Sequence, residues 1–179
     1  MDDQKRILLH TCCSVCATSP VERLLSQGYD VSMFFSNSNI FPRQEYEVRL
    51  QSARKLAGLL DIRLIEDVYD HESWLHHIEG LENEPERGKR CIKCFEYNLR
   101  RAYIKAQELH IPSFTTTLSV SRHKPSKVIF SVGERFRGFI PIDFKKQDGF
   151  TQSMALSRQY DLYRQNYCGC EFSMRSAAR

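Results

Sequence analysis

A short apolar run that ends abruptly in three thiols constrains this chain more than any other feature. Residues 8–11, Leu-Leu-His-Thr, lead directly into Cys12, Cys13 and Cys16. Apolar runs of this length, bounded by a change of composition, are typical of buried strands. We therefore predict a first strand over residues 6–11 that delivers cysteine side chains at its own C-terminal tip.

All seven cysteines fall into three tight clusters, since the remaining two pairs are a CxxC and a CxC. In a reducing cytosol clustered thiols indicate metal binding or catalysis, and the odd number argues against complete disulfide pairing. We predict one metal site assembled from the three segments. Its candidate ligands are Cys12, Cys13, Cys91, Cys94, Cys168 and Cys170, together with Cys16, for which a buried thiol without a metal is the alternative.

Apolar strand-like runs alternate with helix-like patterns along the chain. Predicted strands are 6–11, 29–35, 62–65, 111–118 and 140–144, and predicted helices are 16–26, 42–60, 71–78, 95–109, 125–135 and 149–163. This alternation predicts one α/β domain over residues 1–179, with a parallel sheet of about five strands and helices on both faces. Ligands of such sheets bind beyond the C-terminal ends of the strands, where the thiols are expected. Residues 173–179 are expected to form a frayed basic tail.

Charge is divided unevenly between the two halves of the chain. Residues 1–85 contain 8 Lys+Arg and 14 Asp+Glu, whereas residues 86–179 contain 18 and 8, a balance of +10. A basic half favours a polyanionic partner, with nucleic acid as the leading candidate, while a solvated face is the alternative for any single cluster. The candidate RNA-binding residues are Arg90, Arg122, Lys124 and Arg164, with Tyr163 and Tyr167 as possible stacking platforms or core residues.

The sequence lacks the features of a membrane or secreted protein. It has no apolar run near the roughly 20 residues that span a bilayer, and the N-terminus lacks the apolar region of a signal peptide. With 41% hydrophobic and 27% charged residues, the composition is that of a soluble globular protein. We therefore expect a cytoplasmic protein with no membrane partner.

Spacing alone leaves the identity of the metal open. Iron-sulfur clusters, zinc and a thiol redox relay all use CxxC pairs. A closed tetrahedral zinc site would need four thiols and would leave three without a role. In an extended segment adjacent side chains point opposite ways, so without a turn Cys12 and Cys13 can hardly bind one iron together but could reach two centres a few ångströms apart.

Four segments together resemble one enzyme family. They are the thiol segment at 10–16, the Arg-Cys-x-x-Cys helix start at 90–94, Phe-Thr-Thr-Thr-Leu at 114–118, and Leu-Tyr-Arg-Gln-Asn-Tyr-Cys-Gly-Cys at 162–170. The combination resembles the QueH family, the cobalamin-independent epoxyqueuosine reductases, from about residue 6 to residue 172. The segment 39–49 also resembles the loop and helix that follow the family's second strand.

The resemblance implies a Rossmann-like sheet related to the nucleotide-binding hydrolases, and an iron-sulfur enzyme that reduces the epoxide of epoxyqueuosine to queuosine at the wobble position of tRNA. We expect the seven thiols to hold a 4Fe-4S cluster with an additional iron ion beside it. Its expected partners are tRNA carrying epoxyqueuosine and an electron donor. Glu45 and Tyr46, which follow the second strand, are candidate proton donors, with helix capping and surface roles as alternatives. The competing hypothesis is a non-catalytic, zinc-stabilised RNA-binding module.

Overall fold

The computed structural model describes residues 5–177, which form a parallel sheet covered by helices. The strands are β1 (Arg6–His10), β2 (Asp30–Phe35), β3 (Arg63–Glu66) and β4 (Ser113–Thr116), in the order β3-β2-β1-β4. All three strand pairs are parallel. The helices are α1 (Ser14–Ser26), α2 (Arg43–Leu60), α3 (His71–His77), α4 (Lys89–Glu108), α5 (Ser126–Gly133), α6 (Gly149–Gln159) and α7 (Glu171–Ala177).

Alternation along the central strand separates two hydrophobic cores. Ile7 and Leu9 point to the face covered by α1 and α2, whereas Leu8 points to the face covered by α4 and α5. All three side chains are fully buried. A strand covered on both faces needs an unbroken apolar sequence, which explains why β1 shows no polar alternation. The predicted α/β class, with a parallel sheet and helices on both faces, is confirmed.

The predicted fifth strand at 140–144 is wrong. The segment forms no strand, and the residue before it, Phe139, makes an isolated bridge to Phe114 of β4. Pro141 has no N–H and cannot continue a ladder of backbone hydrogen bonds. The hydroxyls of Thr115 and Ser119 instead donate to the carbonyls of Ile140 and Ile142, both at 2.8 Å. The described sheet therefore has four strands.

The strand order places a crevice beyond the tips of β1 and β4. From β1 the chain crosses to β2 on one side and reaches β4 on the other side only later, so the topology switches between these two strands. Crevices at such points are the usual ligand sites of open parallel sheets. Cys12 follows the tip of β1 and Thr117 follows the tip of β4. Both therefore stand at the rim of this crevice.

Helix boundaries agree with the sequence in most places. The CxxC pair lies in the first turns of α4, as predicted, although this helix begins at Lys89. Most of the predicted frayed tail forms α7 instead, and residues 178–179 lie outside the described part of the chain. Within residues 5–177, none of the helices is both long and apolar enough for a membrane span.

Candidate active site

The three thiol segments line one cavity of about 540 Å³ at the C-terminal edge of the sheet. This volume lies within the range of small-molecule sites. Apolar side chains such as Val15, Phe95 and Met154 form much of the remaining wall. Six of the cysteines line the cavity, namely Cys12, Cys16, Cys91, Cys94, Cys168 and Cys170.

The first segment forms a compact thiol triad. The Sγ atoms of Cys12, Cys13 and Cys16 all lie within 4.8 Å of one another, close enough to hold one metal ion. The chain bends at Cys12 before α1 begins, and this turn brings Cys12 and Cys13 together, so the extended geometry on which the two-centre argument depended is not present here. Cys13 is buried and caps α1, where its Sγ accepts the N–H of Cys16 at 3.3 Å. Cys16 contributes to the cavity wall.

Protein donors already point at four of the sulfurs. The Thr117 hydroxyl donates to Cys12 Sγ at 3.1 Å, and the N–H of Cys16 donates to Cys13. On the second segment, the backbone N–H of Arg87 lies 3.2 Å from Cys91 Sγ, and Asn98 Nδ2 lies 3.7 Å from Cys94 Sγ. Such donors stabilise thiolates, the form that binds metal, and tune the potential of iron-sulfur clusters. The donor set therefore fits a thiolate-ligated metal or cluster.

Burial and mutual contact shift the acidities of these thiols in different directions. Hydrogen bonds from Cys12 and Cys16 hold the pKa of Cys13 well below its usual value and outweigh its burial. The same contacts raise the pKa of Cys16 well above its usual value, because a second thiolate would lie beside the first. Burial raises the pKa of Cys94 well above its usual value, and the Trp74 indole N–H opposes this shift. The triad thus loses one proton easily, whereas further ionisation needs a compensating cation.

Lys124 provides a fixed cation in the cavity wall. Burial alone would lower its pKa, but the nearby thiols of Cys168, Cys12 and Cys16 raise it above its usual value. The loop that carries Lys124 is held by Lys145, whose Nζ donates to the carbonyls of Ser119 (2.9 Å), Ser121 (3.2 Å) and Lys124 (2.9 Å). An ammonium group therefore stays charged beside the thiols.

A buried histidine joins the strand tips beneath the triad. His10 Nε2 lies 3.0 Å from the carbonyl of Ser36, which can only accept, so this nitrogen carries the proton. Nδ1 lies 2.9 Å from Thr116 Oγ1, which itself accepts the N–H of Leu118 and so donates its hydroxyl proton to the ring. Burial lowers the pKa of His10, in agreement with this neutral form. The ring thus ties β1 to β4 and to the loop after β2.

Glu45 and Tyr46 lie behind the cavity and outside the part of its wall formed by described residues. Tyr46 is buried against Phe35 and Tyr69, and burial raises its pKa to about 12. The Glu45 carboxylate is occupied by Arg49 Nε at 2.8 Å and by the Tyr163 hydroxyl at 2.9 Å. Their predicted role as proton donors has no direct route to the cavity in this geometry.

The predicted RNA-binding residues occupy different environments. Arg90 is 3% exposed, and its Nη1 donates to the carbonyls of Glu82 (3.1 Å) and Glu84. Its guanidinium is thus engaged inside the protein. Arg164 is exposed and lines the cavity, and Arg122 is exposed and lies over Phe150, another lining residue.

Both tyrosines of the last segment make polar contacts. Tyr163 is 39% exposed and donates to Glu45, whereas the Tyr167 hydroxyl donates to the carbonyl of Phe41 at 2.6 Å. Tyr167 lines the cavity, and its ring lies 5.1 Å from the guanidinium of Arg49. Of the two, Tyr163 has the more accessible side chain for stacking on a base.

Sequence reasoning missed several residues that support the thiols. Thr117 could have been found, because it follows β4 just as Cys12 follows β1. The roles of Trp74, Asn98 and Lys145 depend on how separate helices and loops pack, and no local pattern indicates them. These three residues act through contacts with Cys94 or with the loop of Lys124.

Comparisons with known proteins place the chain in one family. The family model described as epoxyqueuosine reductase QueH matches residues 7–176. A protein of Acinetobacter baylyi with that name is 35% identical over 184 residues, covering 99% of this chain and 84% of the relative. Its counterpart from Streptococcus pyogenes is 36% identical over 178 residues, covering 93% and 69%. One from Thermotoga maritima is 30% identical over 176 residues, covering 94% and 90%. The chain therefore belongs to the epoxyqueuosine reductase QueH family.

Proposed function

We propose that this protein reduces the epoxide of epoxyqueuosine to queuosine in tRNA, the last step of queuosine biosynthesis, in the cytoplasm. The observation that carries the proposal is that three distant thiol segments meet at one cavity in a chain of this family. The reaction replaces the epoxide by a carbon–carbon double bond. It consumes two electrons and two protons, and the oxygen leaves as water. An electron donor must therefore reach the protein.

The cofactor that we propose is a 4Fe-4S cluster with an additional iron ion. Cys12, Cys13 and Cys16 would hold one part, and the pairs from α4 and from the last segment would hold the rest. When bound, the cofactor would supply electrons and a Lewis acid for the epoxide oxygen. The donors to four of the sulfurs support this assignment, since each would stabilise the thiolate that forms when metal binds.

The cavity wall suits a modified nucleobase taken out of the RNA. Its apolar part, which includes Ile92, Phe95 and Val128, would exclude water from the reacting carbons. Lys124 would act electrostatically. Its ammonium group, whose pKa thiolate charge raises, would offset those thiolates and would stabilise negative charge on the departing oxygen.

The exposed cations around the cavity are the proposed contacts to tRNA phosphates. Arg122 and Arg164 are the strongest candidates, joined by Arg87, whose Nη2 donates to His123 Nδ1 at 3.1 Å across two loops that line the cavity. Phosphate contacts release counterions, so log K should fall with log salt by about 0.7–0.9 for each phosphate contacted. Arg122→Ala and Arg164→Ala should each reduce this slope by about 1. An unchanged slope in both variants would contradict the assignment.

A single-turnover assay tests the whole proposal. The protein is purified without oxygen, reconstituted with iron and sulfide, analysed for metal and sulfide, and mixed with a chemical reductant and tRNA bearing epoxyqueuosine. Nucleosides are then identified by mass spectrometry. We expect a brown protein with more than four irons per chain that forms queuosine. A colourless protein that retains only zinc, binds tRNA and forms no queuosine would support the non-catalytic module instead.

A further inference from the structure

A buried arginine of α2 holds the segment that carries the last two thiols. The side chain of Arg49 is 1% exposed. Its Nη1 donates to the carbonyl of Cys168 at 2.8 Å and its Nη2 to the carbonyl of Tyr167 at 3.2 Å. Two neighbouring peptide groups of the Cys-Gly-Cys segment are thus fixed by one planar guanidinium. Only an arginine offers this fork of parallel donors.

The guanidinium is itself fixed from the other side. Its Nε donates to Glu45 Oε1 at 2.8 Å, and Glu45 also accepts the hydroxyl of Tyr163 at 2.9 Å. Glu45 and Arg49 are four residues apart on α2 and so share a face of the helix. The carboxylate therefore neutralises a buried charge and sets the direction of its donors.

Two further contacts tie the same segment to the start of α2. The ring of Tyr167 lies over the Arg49 guanidinium, and its hydroxyl donates to the carbonyl of Phe41. The N–H of Phe41 in turn donates to the carbonyl of Gly169 at 2.8 Å. Residues 161–170 form neither helix nor strand, so side chains must supply the constraint that a backbone ladder provides elsewhere.

We propose that Arg49, oriented by Glu45 and Tyr163, is a positioning residue that fixes Cys168 and Cys170 for metal binding. The inference rests on the proposed function only in taking these two thiols as ligands. It gives Glu45 a role other than that of a proton donor. A merely structural Arg49 would lower stability without changing how the thiols of this one segment bind metal or react.

Arg49→Lys is the test, with Arg54→Lys as its matched control. Lysine keeps the charge of Arg49 but cannot hold two carbonyls and a carboxylate with one planar group. Arg54 lies on the same helix and forms an equally close pair with Glu66, at 2.6 and 2.7 Å, but on the exposed surface. Both variants therefore lose one bidentate arginine, and only one of them loses contact with the thiol segment.

Two measurements on the full-length, metal-free, reduced chain distinguish a positioning role of Arg49 from a merely structural role. The first is the alkylation rate of Cys170, which is 9% exposed, relative to that of Cys13, which is 2% exposed. The second is Co²⁺ affinity, followed by the thiolate charge-transfer absorbance. We expect Arg49→Lys to raise the relative rate at Cys170 and to weaken Co²⁺ binding by about 10–100-fold, the usual effect of losing an outer contact of a metal site. Arg54→Lys should change neither.

Lower stability with unchanged Co²⁺ affinity and an unchanged Cys170-to-Cys13 ratio would overturn the proposal. If Arg49→Lys fails to fold, Tyr163→Phe provides the milder perturbation, since it removes one hydroxyl from Glu45. It should shift both measurements in the same direction by a smaller factor, and no shift would equally overturn the proposal. Neither measurement involves epoxyqueuosine, so failure of the reductase assay would leave this test intact.

Discussion

Gly169→Ala gives the sharpest test of how the last thiol segment is built. Gly169 has φ +151°, a conformation that residues with a side chain rarely adopt. An added Cβ would lie 3.2 Å from Asn39 Nδ2, 3.2 Å from Ile40 Cγ1 and 3.4 Å from Arg49 Nη1. Strained backbone costs about 1–3 kcal/mol, and the crowding adds about 1 kcal/mol if the neighbours yield. We expect the free energy of unfolding to fall by about 2–4 kcal/mol.

Substitutions at two other glycines separate the effect of backbone strain from the effect of crowding. Gly80 has φ +80° with nothing within 4 Å of an added Cβ, so backbone strain in Gly80→Ala should lower the free energy of unfolding by only about 1–2 kcal/mol. Gly58 lies in α2 with an ordinary φ, and it too has nothing within 4 Å of an added Cβ. Gly58→Ala should therefore raise the free energy of unfolding by about 0.5–1 kcal/mol. Urea unfolding of the metal-free chains, followed by circular dichroism, gives all three values. The reasoning is refuted if Gly169→Ala proves as stable as Gly80→Ala.

Three further predictions concern contacts around the cavity. Lys145→Met should lower the free energy of unfolding by about 2–3 kcal/mol, because three carbonyls lose a charged donor, and should speed hydrogen exchange in residues 119–124. Burial alone would raise the pKa of Asp67, but hydrogen bonds from Arg101 and Ser36 lower it. The free energy of unfolding of Asp67→Asn should therefore lie below that of the unsubstituted chain by a constant amount at neutral pH. This difference should shrink as pH falls below about 4, and urea unfolding at several pH values would check it. Asn98→Leu removes a hydrogen-bond donor to the sulfur of Cys94 and should lower the reduction potential of the reconstituted protein. A spectroelectrochemical titration measures this potential, and an unchanged value would exclude the contact with Cys94.

The parts of the fold that follow from local pattern were predictable. β1 and the thiols beyond it could be placed because the apolar run and its abrupt end are both visible in one short stretch of sequence. The position of the thiols then followed, because ligands of parallel sheets bind at the C-terminal ends of the strands. The error at 140–144 also has a local cause. Pro141 removes a backbone donor, so the backbone pairing stops after the Ile140 N–H donates to the Phe114 carbonyl. The hydroxyls of Thr115 in β4 and of Ser119 beyond it hold the segment instead.

The orientation of a helix is a tertiary property, and it decides which side chains of α2 lie near the cavity. Glu45 and Tyr46 follow the second strand as expected, but the face of α2 that meets the cavity depends on packing against other elements. Tyr46 enters the core beside Phe35, and Arg49, three residues later, reaches the thiol segment. A sequence gives the spacing of these residues but not the rotation of the helix about its axis.

Formal charge is an equally incomplete guide to the RNA surface. The balance of +10 in residues 86–179 includes Arg90 and Lys145, which hold backbone carbonyls, and Arg101, which forms an ion pair with Asp67. These groups are not free to meet phosphates, so fewer cations are available than the count suggests. The salt dependence of tRNA binding should therefore correspond to a few contacts around Arg122 and Arg164 rather than to the whole excess.

The buried cations stabilise the irregular loops that the arrangement of the thiols requires. Ligands drawn from distant segments require irregular loops around the cavity, and such loops have no ladder to satisfy their carbonyls. Arg49, Arg90 and Lys145 each hold two or three carbonyls, in the last thiol segment, the loop before α4 and the loop of Lys124 respectively. Burial raises the pKa of Cys91, and the charge of the neighbouring Arg90 opposes this shift, so this cation also favours the thiolate that binds metal. Replacing Arg90 by an apolar residue would therefore both loosen a loop and raise the free energy of a thiolate, and both effects should weaken metal affinity.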